Sequence, residues 1–155
     1  RQRSAKPSTA VRIRLMPHLN LSNLKTAFLM TNVLDKFVQD IKANVPGFIA
    51  VSVTEVKSGV SYVAESADPN FDPNLASAYN LEVVKAKMNA LRVLGLEGKE
   101  KIEDILITLT HQIHVIDIAP NGNYFVYLVV DSSKANLGIT RSLLARYKRD
   151  LQSIF

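Results

Sequence analysis

Apolar positions along this chain fall into runs whose period changes from segment to segment. Leu24, Phe28, Leu34, Phe37, Ile41 and Val45 recur at helical spacing, with Lys25, Lys36, Asp40 and Lys42 lying largely between them. That pattern predicts an amphipathic helix of about six turns, entered near Pro17 and Asn20 or Ser22 and ended by Pro46-Gly47. Phe48 to Val56 is rich in β-branched residues and predicts a strand. Lys57-Ser58-Gly59 reads as a tight turn, with Val60 to Glu65 as the hairpin partner. Asp68 to Asn74 is dense in turn residues and predicts a loop, with Asn74 as the expected cap of the next helix. Leu75 to Leu96 reads as that helix, a long one whose apolar residues mark two neighbouring sides. Leu75, Tyr79, Val83 and Ala86 lie on one, and Leu81, Val84, Met88 and Leu91 on the other. So wide an apolar surface needs two covers. One is the helix's own sheet, and a second subunit is the candidate for the other.

Gly95, Gly98 and Lys99-Glu100-Lys101 make the exit loop. Three strands come next. Ile102 to Thr110 places Ile105, Ile107 and Leu109 on one face, and Gln112 to Ala119 is the second. Pro120-Asn121-Gly122-Asn123 signals a hairpin, with Asn-Gly suiting a type I′ turn. Tyr124 to Val130 is unbroken apolar sequence, which predicts a central strand covered on both faces. Asp131-Ser132-Ser133 is expected to cap a last helix, about Lys134 to Ile154, with Leu137, Leu144 and Leu151 inward. The order is helix, strand, strand, helix, strand, strand, strand, helix. It predicts an α+β fold in which a hairpin and a three-strand meander share one sheet with helices packed on it. Residues 1–20 are expected to be a basic, mobile extension, in which Val11-Arg-Ile-Arg-Leu15 reads as a short edge strand or the end of that arm. Residues 21–155 are expected to form the domain.

Length and composition narrow this reading without changing it. A chain of 155 residues, 47% of them hydrophobic, suits one domain with a buried core. Cysteine is absent, so no disulfide or thiolate chemistry is expected, and the cytoplasm is the simplest compartment. No apolar run approaches the roughly 20 residues of a membrane span, and no secretory signal is visible. The net charge of +5 is unevenly spread. Residues 1–14 carry Arg1, Arg3, Lys6, Arg12 and Arg14 and no acid. Residues 15–131 carry 9 basic and 13 acidic groups, giving −4. Residues 132–155 carry Lys134, Arg141, Arg146, Lys148 and Arg149 against Asp150, giving +4. The basic character belongs to the two ends, which weakens a nucleic-acid reading of the folded body.

Catalytic constellations are missing. Gly95-Leu-Glu-Gly-Lys99 has the wrong spacing for a phosphate-binding loop and comes after a helix instead of a strand. His111 and His114, three apart on or beside a strand, point to opposite faces and do not converge on a metal. Glu103-Asp104 are neighbours that also point apart, which disfavours joint acid–base work. Glu82 reads as a solvated or dimer-rim carboxylate. Ser132-Ser133 lacks the glycines of a nucleophile elbow.

The element order resembles the Roadblock / dynein light chain family. Asn44-Val45-Pro46-Gly47-Phe48, leading into a strand and a hairpin with Gly59, is similar to that family's opening. Asp131-Ser-Ser-Lys-Ala-Asn-Leu-Gly-Ile-Thr-Arg141 is similar to its closing pattern. The resemblance covers about residues 24–151. It implies a five-stranded antiparallel sheet with profilin-like layering. It also implies a homodimer in which residues 75–96 and 102–110 pair with their copies. The expected interface residues are Tyr79, Val83, Ala86, Met88, Ala90, Ile105 and Ile107. It further implies a scaffold or regulator, and the missing motifs make a non-enzymatic chain with no cofactor and no metal the expectation. A small Ras-like GTPase is the most specific partner it offers, to be recruited, exchanged or activated for hydrolysis. Two features depart from a minimal member: the basic residues 1–15 and the Pro-rich loop Asp68–Asn74. The alternative is a nucleic-acid or anionic-surface module using Arg12, Arg14, Arg141, Lys148 and Arg149. A small-molecule sensor is a third reading, which would need an internal cavity.

Overall fold

The computed structural model describes residues 21–155. The basic extension, with Arg12, Arg14 and the candidate strand at 11–15, lies outside the described residues. The elements are α1 (Leu21–Asn44), β1 (Phe48–Glu55), β2 (Ser61–Ser66), α2 (Pro73–Val93), β3 (Asp104–Thr108), β4 (Gln112–Ile118), β5 (Tyr124–Asp131) and α3 (Leu137–Gln152). Type and order agree with the sequence reading throughout.

The five strands form one antiparallel sheet in the order β2-β1-β5-β4-β3. The apolar run 124–130 is the middle strand, paired with β1 on one side and β4 on the other, and every residue from Tyr124 to Val130 is buried. Successive side chains of a strand point to opposite faces, so this run feeds two cores. On one face Val51, Val53, Val115, Val126, Leu128 and Val130 pack with Leu34, Phe37 and Ile41 of α1 and with Leu144, Tyr147 and Leu151 of α3. On the other, Ala50, Ile116, Ile118, Phe125, Tyr127 and Val129 pack with Leu81 and Val84 of α2. Each fully buried large side chain contributes about 1.5–3 kcal/mol, so both layers are needed for a stable fold.

Short connections set the layering. Asp131 N–H donates to the carbonyl of Gly47 (2.8 Å), closing the α1–β1 corner. Gly47 has φ +73°, and a Cβ there would sit 3.0 Å from Lys134 Cβ and 3.1 Å from the Asp131 carbonyl oxygen. Only glycine meets both demands.

Four local expectations need correction. Asp72, and not Asn74, caps α2: its Oδ1 accepts from Asn74 N (2.9 Å) and Leu75 N (3.1 Å), and Pro73 takes the first helical position. Proline has no N–H to leave unsatisfied there. Asn136, and not the Asp131–Ser133 run, caps α3, accepting from Ile139 N (3.1 Å). Asp131 Oδ1 instead accepts from Ser133 N and Oγ and holds the turn before the helix. The β4–β5 turn is not type I′, because Gly122 (φ +71°) is its only residue with positive φ. Pro120 fixes a negative φ, and the Gly122 N–H donates to the Ala119 carbonyl (2.8 Å) across a turn with glycine at its last position. Helix α2 stops at Val93, short of Leu96, because Gly95 takes the left-handed conformation (φ +68°).

Candidate interaction surface

Helix α2 carries two stripes on different faces. Ser77, Leu81 and Val84 are buried against the sheet, where the Ser77 and Ser52 hydroxyls bond to each other. Tyr79, Val83, Ala86 and Ala90 recur at four-, three- and four-residue steps, which keeps them within about 40° of one line on the helix. Tyr79 is 73% exposed, Ala86 is exposed, and Val83 and Ala90 are half-buried. Leu75, Val93 and Leu94 extend the apolar line to both ends of the helix, and all three are exposed. Met88 does not join it. Met88 packs into the α2-side core beside Gly122.

Ile105 and Ile107 lie on β3, which pairs with β4 alone and so forms one edge of the sheet. Both are half-buried on the α2 face, while Leu106 turns to the opposite core. An edge strand leaves a row of backbone N–H and C=O groups unpaired. The structure therefore brings the α2 stripe and β3 to the same side of the sheet. Leu109, expected in line with Ile105 and Ile107, lies past the end of β3 and is 46% exposed.

The basic residues of α3 are mostly engaged within the chain. Arg141 Nε and Nη2 donate to the two carboxylate oxygens of Asp104 (2.8 and 3.1 Å). Lys148 pairs with Asp117, and Arg146 with Asp40. Tyr147 O–H also donates to Asp40 (2.6 Å), tying α3 to α1. Asp104 and Asp117 face each other across β3 and β4. Like charges in that position repel. Burial pushes the Asp117 carboxyl above its usual range, and Lys148 opposes this. The cations at Arg141 and Lys148, two turns apart on α3, offset that repulsion. Arg149 is exposed. These ion pairs join elements far apart in sequence, and the residue pattern held no sign of which acid each cation would meet.

His111 and His114 separate as expected. His111 sits exposed in the β3–β4 turn, and His114 is half-buried on β4. Tyr127 Oη lies 3.0 Å from His114 Nδ1, and Gln112 Oε1 lies 3.0 Å from Nε2. Among the described residues no group of three or more His, Asp or Glu converges on a metal-sized site. Glu103 borders a cleft of about 520 Å³ between the end of α2, the loop into β3 and the β4–β5 turn. Met88, Leu91, Ile102 and Ile118 line its apolar side, and Glu100, Lys101 and Lys148 its charged side.

No family model and no curated relative matches the chain. Solved structures do. Myxococcus xanthus MglB superposes with a TM-score of 0.65 at 14% identity, covering 81% of this chain and 94% of that one. A Roadblock/LC7 domain from Streptomyces avermitilis gives 0.59 at 11% identity, covering 82% and 94%. This chain has the Roadblock/LC7 fold. An MglB with a tetrameric arrangement gives 0.63 at 17% identity, covering 83% and 89%. At these identities the shared property is the fold.

Proposed function

We propose that this Roadblock-fold chain is a non-enzymatic, homodimeric scaffold or regulator that binds partner proteins. A small Ras-like GTPase is the most specific partner. The observation that carries the reading is the outer stripe of α2, apolar from Leu75 to Leu94 and largely exposed, on the same face of the sheet as Ile105 and Ile107 of the edge strand β3. An exposed apolar row of this length marks an interaction site. Two copies joined through α2 and β3 would bury Tyr79, Val83, Ala86, Ala90, Ile105 and Ile107 and would extend the sheet across the pair. The tetrameric arrangement of one structural neighbour is in keeping with self-association. The GTPase partner rests on the family resemblance.

The GTPase part is tested with the purified small Ras-like GTPases of the source organism, loaded with GDP or a non-hydrolysable GTP analogue. Saturable binding that prefers one nucleotide state supports a regulator, and a changed hydrolysis rate gives its direction. Binding to none of them in either state removes the GTPase from the reading and leaves the dimer. The engagement of Arg141, Lys148 and Arg146 by carboxylates does not favour a nucleic-acid site on α3.

A further inference from the structure

The cleft at the end of α2 is a second concave surface, separate from the outer stripe of that helix. Met88 and Leu91, which line it, sit roughly 170° and 110° around α2 from the line of Tyr79, Val83, Ala86 and Ala90. An inference about the cleft therefore does not rest on the dimer. Its volume of about 520 Å³ is that of a binding pocket. Its floor is aliphatic: Met88, Leu91 and Ile102 are half-buried and Ile118 is buried. Backbone hydrogen bonds hold its rim. The Leu96 carbonyl accepts from the N–H groups of Lys99 (3.0 Å) and Glu100 (2.9 Å), and the Glu103 carbonyl accepts from Ile118 N–H (3.0 Å). A rim already ordered loses little further freedom when something binds.

Charge selects the occupant. Glu97, Glu100 and Glu103 stand exposed on the rim, and none of them belongs to an ion pair among the described residues. Of the two lysines that line the cleft, Lys148 is held by Asp117, which leaves Lys101 against three carboxylates. We propose that this cleft is a docking groove for a segment of a partner protein that carries an apolar side chain beside lysine or arginine. The apolar side chain enters the aliphatic floor, and the cations meet the carboxylates of the rim. The excess of acid repels nucleic acids and anionic lipids. Among the described residues no aromatic ring lines the cleft, so it lacks the cage that captures a small organic cation. The three carboxylates recur every third residue along the rim and call for more than one cation, which a peptide supplies. A second copy docking by the same face would set two acidic rims against each other.

The test is fluorescence anisotropy of a short fluorescein-labelled peptide of alternating leucine and lysine, titrated with the full chain. Saturable binding is expected, weakening at high salt. Glutamate in place of the lysines should abolish it. Serine in place of the leucines should weaken it roughly tenfold or more, the loss on removing an anchor from its pocket. Glu100→Lys should weaken it to a similar degree, with the circular dichroism spectrum and the mass in solution unchanged. Asp35→Lys reverses an exposed carboxylate on α1, across the sheet, and should leave binding intact. Absence of saturable binding overturns the proposal. A serine peptide that binds equally well also overturns it, because charge alone would then hold the peptide, as do equal losses in Glu100→Lys and Asp35→Lys. Peptide binding that lowers the mass in solution would assign the groove to a second copy and overturns it too. A strictly monomeric chain that still binds the peptide removes the dimer and leaves the groove.

Discussion

His114 shows how one side chain reads out the packing around it. Its ring lies edge-on to Tyr127 and Phe71, and burial lowers its pKa. Burial also pushes the Tyr127 phenol up to about 12, so Tyr127 stays a proton donor. The neutral ring fits this setting, with Nδ1 accepting from Tyr127 and Nε2 donating to Gln112. The folded state thus prefers neutral histidine more than the unfolded chain does. Its contribution to stability is full above the unfolded value of 6.5 and is lost as pH falls below it toward the lower folded value. Melting temperature should accordingly drop on acidification below pH 6.5, and His114→Gln should flatten that part of the profile. An identical profile in the variant would show that other groups carry the effect. In sequence, His114 was legible as a strand residue that could not pair with His111. Its partners were not, because they depend on the register of β4 against β5.

At the scale of elements, period and punctuation carried most of the information. The unbroken run 124–130 announced a central strand, and it is the middle one. The two apolar sides of 75–96 announced a helix with a second surface, and the structure leaves one side outside. Caps were harder to place. Asp68, Asn70, Asp72 and Asn74 alternate through one loop, and any of them has the side chain to cap a helix. Pro73 decides between them, since it fits the first helical turn and puts Asp72 just before it. Asp72→Ala should therefore cost about 1 kcal/mol in urea denaturation, while Asn74→Ala stays near neutral. Equal losses would contradict the assignment. Which part of α1 is covered was not legible, because the apolar spacing continues along the whole helix while its buried residues begin only at Leu34. Hence Leu24 and Phe28 read as core positions in sequence and are surface positions in space.

For the whole molecule, one sheet separates two unequal halves. α1 and α3 close the first face through the core around Phe37 and Tyr147 and the Asp40 contacts. The second face has α2 alone, and β3 is an open edge strand of the sheet. A molecule finished on one side and unfinished on the other is the physical basis for reading it as half of a dimer. Oligomeric mass by light scattering at micromolar concentration tests that claim most directly. The native chain should have twice the monomer mass, and Tyr79→Asp, at a side chain that is 73% exposed, should return it to monomer with the fold retained. Met88→Asp should instead destabilise the fold, because Met88 faces the sheet. A native chain that is strictly monomeric under those conditions would contradict the account.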